Sequence, residues 1–268
     1  MNKQYKSYAK INLFLKMVGV RGNYHEIFSR FIRVHSLYDI LSFEENRIGD
    51  FFIDSSFSFP KEKNIIYQTY NSLLTHLNGS QKQDVENFFQ LYSVKVEKNI
   101  PMMAGLGGGS SNSATFLNMV DEVVNLNLTL EQKAKIVEKL GSDILFFLYN
   151  TDSANVYGTG DIIEIFNEEK LDIQIVTPKI ECNTKEVYKK FRSDFFNISK
   201  MEDLEYLKNR ASKDIFLDLS IEFANDLFKP AKYICPELKN LQNKNYLFSG
   251  SGSSFFTIKE LENVSKSF

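Results

Sequence analysis

The chain has 268 residues, 43% of them hydrophobic and 25% charged, with a formal net charge of -2. This excludes disordered and fibrous classes, leaves room for one large domain or two modest ones, and gives no overall attraction for nucleic acid. The longest apolar run, at 144–149, is far below the ~20 residues that cross a bilayer. The N-terminus lacks the apolar core and cleavage site of a signal peptide. Cys182 and Cys235 lack metal-ligand spacing and read as reduced thiols, so a cytoplasmic location is expected.

From the N-terminus, residues 8–15 alternate, with Ile11, Leu13 and Leu15 on one face and Lys10, Asn12 and Phe14 on the other. This predicts a half-buried strand that projects Lys10 and Asn12 together. "GVRGNYH" at 19–25 is turn chemistry, and residues 26–45 are β-branched and aromatic enough for further strands. Residues 51–59, "FFIDSSFSF", read as a strand with a turn. Ile66, Tyr70, Leu73, Leu74 and Leu77 have helical spacing over 64–77.

Tyr92, Val94 and Val96 alternate as a strand that runs into "PMMAGLGGGSSNSA" at 101–114. Ala114, Leu117, Val120 and Val124 then form one helical stripe, with Ser110 or Ser111 as its N-cap. "TLEQ" at 129–132 is a capping box for a helix through Leu140, and Gly141 stands where a C-terminal cap belongs. Asp143 follows directly. Beyond residue 155 come strands ("NVYG", "DIIEIF", "DIQIVTP"), then helices ("KEVYKKF", "MEDLEYLKNRA", "IEFANDLF"), then the glycine-serine stretch at 246–258. The basic cluster at 185–192 reads as the solvated face of a helix. Mixed rather than alternating order predicts an α+β protein.

A strand, a glycine-rich turn and a helix N-terminus make an anion site, because first-turn N–H groups are unpaired and the macrodipole is positive there. A flexible surface loop is the bland alternative. The nucleotide loop G-x-x-x-x-G-K-[ST] fails because no lysine follows Gly109. The dinucleotide fingerprint fails because Ser110 stands at its third glycine and the loop lies far from the first strand.

The loop resembles the P-x-x-x-G-L-G-x-x-S-S motif of the GHMP kinases. "AKINLFL" at 9–15, "NYH" at 23–25, "KNIIY" at 63–67, "GSD" at 141–143, "YGTGD" at 157–161 and "LFSGSGSSFF" at 247–256 follow in family order. The resemblance is dense through residue 161 and thin over 165–245. It implies a two-domain α+β fold, with a ribosomal-protein-S5-like ATP-binding domain over 1–155 and a ferredoxin-like domain over 156–268. It implies ATP as phosphate donor, with Mg2+ carried by the nucleotide and metal ligands left unnamed. The combination of "AKINLFL" with a Tyr-His turn is similar to the branch whose acceptor is 4-diphosphocytidyl-2-C-methyl-D-erythritol, and it argues against homoserine or mevalonate as acceptor. A non-catalytic nucleotide-binding module is the rival from another class. A monomer or weak homodimer, with neither nucleic acid nor membrane as partner, completes the expectation.

Residue by residue, the resemblance makes Asp143 the catalytic aspartate and Lys10 the lysine that pairs with it and with the incoming hydroxyl. ATP would be held by Pro101, Met102, Met103, Ala104, Gly105, Leu106, Gly107, Gly108, Gly109, Ser110 and Ser111, with Asn64 and Lys98 bordering the adenine. Asn12, Tyr24 and His25 would contact the acceptor, the last two at its cytidine. Gly250 and Gly252, among Ser249, Ser251 and Ser253, would close over its diphosphate, and a plain hairpin turn remains the alternative there. Three departures stand out. The turn reads "GNYH" where aspartate-glycine is usual, with Asn23 able to take the left-handed conformation. Leu145 stands where proline is common, and "MMA" replaces glycines before Gly105.

Overall fold

Two long strands, β1 (Gln4–Arg21) and β2 (Tyr24–Glu45), pair with each other across a two-residue turn. The left-handed residue of that turn is Gly22, at φ 60°, and not Asn23. The expectation that residues 8–15 form a half-buried strand is corrected: every residue from Ala9 to Met17 is buried, so both faces of β1 are covered. Lys10 and Asn12 are therefore buried polar groups in need of partners. The computed structural model describes residues 3–46, 48–55, 60–241 and 245–262.

β3 (Ile53–Ser55) is the described part of the strand expected at 51–59, and residues 56–59 lie outside the described residues. α1 (Ile65–His76) starts where Asn64 Oδ1 accepts the Ile66 N–H at 2.9 Å. The reading of the sequence missed α2 (Gly79–Leu91), capped by Asn78 and buried at Val85 and Phe89. β4 (Tyr92–Glu97) follows, then α3 (Gly108–Val124), α4 (Leu130–Val137) behind the expected Thr129–Gln132 capping box, and α5 (Ile144–Leu148). The remaining strands are β5 (Ser153–Tyr157), β6 (Ile162–Ile165) and β7 (Ile173–Val176). Five helices follow: α6 (Thr184–Asp194), α7 (Met201–Leu204), α8 (Ser212–Asp218), α9 (Ile221–Ala224) and α10 (Phe228–Ile234). β8 (Leu247–Phe248) and β9 (Phe255–Ile258) close the chain.

The contacts divide these elements into two units interleaved along the sequence. One comprises Met1–Ala9, Leu37–Ile100 and Gly108–Asn150, the other Lys10–Ser36, Pro101–Gly107 and Thr151–Phe268. In the first unit β4 runs antiparallel to the end of β2, from Ile40 opposite Glu97 to Glu45 opposite Tyr92, and β3 runs parallel to β4. A parallel pair needs a crossover, which here carries α1 and α2. Phe51 stacks on Tyr70 with centroids 3.9 Å apart and meets Phe89 edge-on at 4.8 Å, a compact aromatic core. α1 packs on α3 and α3 on α5, with Thr69 and Ser113 hydroxyls 2.7 Å apart in the first contact.

In the second unit β5 runs antiparallel to the start of β2, with β6 beyond it. A separate antiparallel sheet has the order β7-β9-β8. Phe228, Phe248 and Phe255 pack in its core, and α10 packs on α6. Strands and helices mix as the α+β class requires. Among the described residues no helix is long and apolar enough to cross a membrane.

Candidate active site

Lys10 is only 3% exposed, and its ammonium donates to Asn12 Oδ1 at 2.6 Å while lying 4.3 Å from the Phe31 ring centroid. Residues two apart on a strand share a face, so the expected joint projection is present. Asn12 Nδ2 donates to Ser29 Oγ at 3.0 Å, which fixes the amide so that its oxygen meets Lys10. The Lys10 N–H donates to Leu106 O at 2.9 Å and ties β1 to the glycine loop.

That loop is held from a second side. Ser249 Oγ accepts the Asn12 N–H at 3.3 Å and donates to Gly105 O at 3.0 Å, and Ser254 N donates to Ala104 O at 3.3 Å. A β-carbon on Gly105 would collide with Ser249 O, and one on Gly252 with the backbone of Ala104 and Gly105. Met103, Gly105 and Gly107 take positive φ values of 53°, 76° and 68°, and Gly250 one of 59°. The stretch at 246–258 is thus both a hairpin, since β8 pairs with β9, and a backbone-to-backbone support for Ala104 and Gly105. Ser251 Oγ donates to Thr184 Oγ1 at 2.8 Å at the start of α6, and Ser253 is buried.

The rest of the loop belongs to the first unit, and there the expected cap is corrected. α3 begins at Gly108, so Ser110 and Ser111 lie in its first turn rather than at the N-cap. Glycines tolerated there leave first-turn N–H groups open to an anion. Ser111 is committed to packing, with its Oγ 2.8 Å from Ser7 Oγ, which also lies 2.7 Å from Asn112 Oδ1. Ser110 is half-buried, and Gly109 and the loop tip at Pro101, Met102 and Met103 are exposed. Lys98 Nζ lies 3.4 Å, and Ile100 Cγ2 2.9 Å, from where a Gly108 β-carbon would sit. Asn64 is buried, its oxygen taken by the α1 cap.

Gly141 is not a left-handed cap, because α4 ends at Val137 and Leu140 N closes a turn onto Val137 O. Gly141 O instead accepts the Ile144 N–H at 3.3 Å, where α5 opens. Asp143 occupies the N-cap position of α5, half-buried, yet its side chain makes no capping hydrogen bond. It belongs to the first unit and Lys10 to the second.

Tyr24 and His25, adjacent on β2, are opposite in burial: Tyr24 is 70% exposed and His25 9%. The His25 ring lies 5.5 Å from that of Tyr188 and 5.4 Å from that of Phe191, both on α6. Its Nε2 is buried, and among the described residues it has no hydrogen-bond partner. Burial lowers its pKa, helped by the charge of Arg192, so the ring is held neutral, with one donor and one acceptor. Tyr188 escaped the reading of the sequence, because a tyrosine in an amphipathic helix carries no mark of a site.

The chain is 50% identical over 98% of its length, and over 99% of the relative, to the 4-diphosphocytidyl-2-C-methyl-D-erythritol kinase of Sulfurimonas denitrificans. It is 36% identical over 95% of its length, and over 98% of the relative, to the kinase of the same name from a Sulfurovum species. The chain belongs to the 4-diphosphocytidyl-2-C-methyl-D-erythritol kinase family. Residues 64–151 match the N-terminal domain of the GHMP kinases. A crystal structure of a 4-(cytidine 5'-diphospho)-2C-methyl-D-erythritol kinase superposes with a TM-score of 0.70 at 25% identity, covering 96% of this chain and 90% of that one.

As a member of this GHMP kinase family the protein is a small-molecule kinase with the GHMP kinase fold, and ATP is its phosphate donor. Among the described residues no three His, Cys, Asp or Glu side chains gather as a metal-binding group. The Ser110 hydroxyl in the first turn of α3 is a hard oxygen donor of the kind magnesium accepts alongside phosphate oxygens and water. The donors present fit an ion delivered by the nucleotide.

Proposed function

We propose that the protein transfers the γ-phosphoryl group of ATP to the 2-hydroxyl of 4-diphosphocytidyl-2-C-methyl-D-erythritol, giving ADP and the 2-phosphate, in the non-mevalonate route to isoprenoid precursors. The observation that carries this reading is the near-full-length likeness to kinases of that name.

Phosphoryl transfer through a loose transition state needs alignment and charge stabilisation more than covalent chemistry. In this reading the open N–H groups of Gly108, Gly109 and Ser110, with the backbone of 101–107, hold the ATP phosphates. Asp143 orients the acceptor hydroxyl and takes its proton. Lys10, fixed by Asn12, offsets charge as the hydroxyl attacks. Lys98 and Asn64 border the adenine. Ser110 would lend a protein oxygen to Mg2+, which would offset the negative charge of the phosphates.

His25 reads the cytosine edge with its partnerless Nε2, and the faces of Tyr24 and Tyr188 are the rings available for stacking. Gly250 and Gly252, seated against the loop at Ala104 and Gly105, close over the acceptor's diphosphate. The protein works as a cytoplasmic monomer or weak homodimer, without nucleic acid or membrane. ADP release tests the reading, measured with ATP plus the cytidyl acceptor, homoserine, mevalonate or no acceptor. Turnover with the cytidyl compound alone is expected. Turnover only with homoserine or mevalonate overturns the acceptor, and turnover with none overturns the enzyme.

A further inference from the structure

At the root of the glycine loop stands a carboxylate outside the residues assigned so far. Asp39, on β2, is 0% exposed and lies one residue past the last rung of the β2–β4 ladder, Ile40 opposite Glu97. Where β4 stops pairing, the Asp39 side chain takes over as acceptor. Its Oδ1 accepts the N–H groups of Asn99 and Ile100, each at 2.8 Å, and its Oδ2 pairs with the Lys98 ammonium. Asn99 Nδ2 donates in turn to Tyr38 O at 3.0 Å. A carboxylate is tolerated at such depth only when paired and hydrogen-bonded, and Asp39 is both.

The groups it holds are the ones that flank the first turn of α3. The space a side chain would need at Gly108 is bounded by Lys98 Nζ at 3.4 Å and Ile100 Cγ2 at 2.9 Å. One aspartate therefore fixes a cation, two successive backbone amides and the departure point of the loop.

We propose that Asp39 is a positioning residue for the nucleotide, holding Lys98 so that the ammonium hydrogens it does not use serve ATP at the start of α3. The inference rests on the reading of Lys98 and the loop as ATP-binding residues. An ammonium has three donors, and without its carboxylate a long lysine side chain regains rotamer freedom that binding must then remove.

The test is calorimetric titration of the full chain with Mg-ATP and no acceptor, so that acceptor identity does not enter. Asp39→Asn keeps the shape and an oxygen for the backbone amides while removing the charge. Asp39→Asn and Lys98→Met are each expected to raise the ATP Kd about 10-fold, the scale of one charge-assisted hydrogen bond. The double variant is expected to bind no worse than the weaker single. An unchanged Kd in Asp39→Asn, or single effects that multiply in the double variant, overturns the inference alone.

In turnover assays a rise in KM for ATP with little change in kcat supports positioning, whereas a fall in kcat at unchanged KM, as loss of folded enzyme produces, overturns it. If Asp39→Asn does not fold, Lys98→Met decides, and retained ATP affinity in that variant overturns the inference. A wild-type chain that binds no ATP overturns the proposed function and this inference with it.

Discussion

Gly252 and Gly105 meet backbone to backbone, and a β-carbon on Gly252 would collide with the Gly105 nitrogen. Backbone cannot yield as a flexible side chain does. Gly252→Ala is therefore expected to cost about 2 kcal/mol of stability by overpacking and to lower turnover about 10²-fold by displacing the loop. Gly22→Ala is the control: nothing lies within 4 Å of its β-carbon position but φ is 60°, so it should cost about 1 kcal/mol and leave turnover intact. Urea unfolding and ADP release on both variants make the comparison, and equal turnover in the two would refute the loop-support role of Gly252.

Asp143→Asn separates chemistry from capping. Asparagine caps helices as well as aspartate does, so a capping role predicts a harmless change. The proton-accepting role predicts a fall in kcat of about 10²-fold or more, with ATP binding retained. Near-normal turnover by the purified, folded variant would remove Asp143 from catalysis.

His25 binds fewer protons in the folded protein than in the unfolded chain, because burial lowers its pKa. Its contribution to stability is therefore complete above the unfolded value of about 6.5 and is lost as pH falls below it. His35 is shifted the same way by burial, so stability alone does not single out His25. The KM for the cytidyl acceptor does: it is expected to stay flat from pH 8 to about 6.5 and to rise on further acidification, while the KM for ATP holds. Parallel changes in both KM values would contradict the assignment.

Arg30 is a fully buried cation whose pKa burial pulls down to about 10. Its guanidinium donates to Asn155 Oδ1 at 2.7 Å, to Lys208 O at 2.8 Å, to Leu207 O at 3.0 Å, and to Arg210 O and Ser212 Oγ at 3.1 Å each. An ammonium cannot span that set. Arg30→Lys should destabilise by about 3 kcal/mol, as loss of one side of a buried charged network does, and should expose the chain near 207–212 to protease. A urea midpoint within error of wild type would discount the network.

Cys182 and Cys235, far apart in sequence, place their sulfurs 3.2 Å from each other as free, buried thiols. Burial first, and the hydrogen bond to Cys235 second, push the Cys182 thiol up to about 12. A thiol so protonated is a poor nucleophile. Iodoacetamide at pH 8 followed by mass spectrometry should leave Cys182 unlabelled in the native protein and label both cysteines in urea. Rapid native labelling at Cys182 would contradict its burial.

Several local patterns in the sequence carry through to the structure. The 3.6-residue spacing over 64–77, the Thr129–Gln132 capping box and the alternation that puts Lys10 beside Asn12 all concern residues within one turn or one pleat of each other. The glycine loop was legible for the same reason, since bare backbone ahead of a helix is itself a local chemical statement. Tertiary context decided the rest. β1 is buried on both faces, and alternation at 8–15 reports only one of them. α3 opens at Gly108, and its Ser111 and Ser113 make hydroxyl contacts with Ser7 and Thr69, 104 and 44 residues away in the chain. The grip of Asp39 on Lys98, the ring of Tyr188 against His25 and the seat of Gly252 on Gly105 join residues 59, 163 and 147 positions apart. The sequence by itself determined most of the elements and the residue chemistry they carry, because those depend on near neighbours, and it left α2 unmarked. Only the tertiary structure decided which side chains hold that chemistry in place, because close packing and the pairing of buried polar groups are set between distant residues.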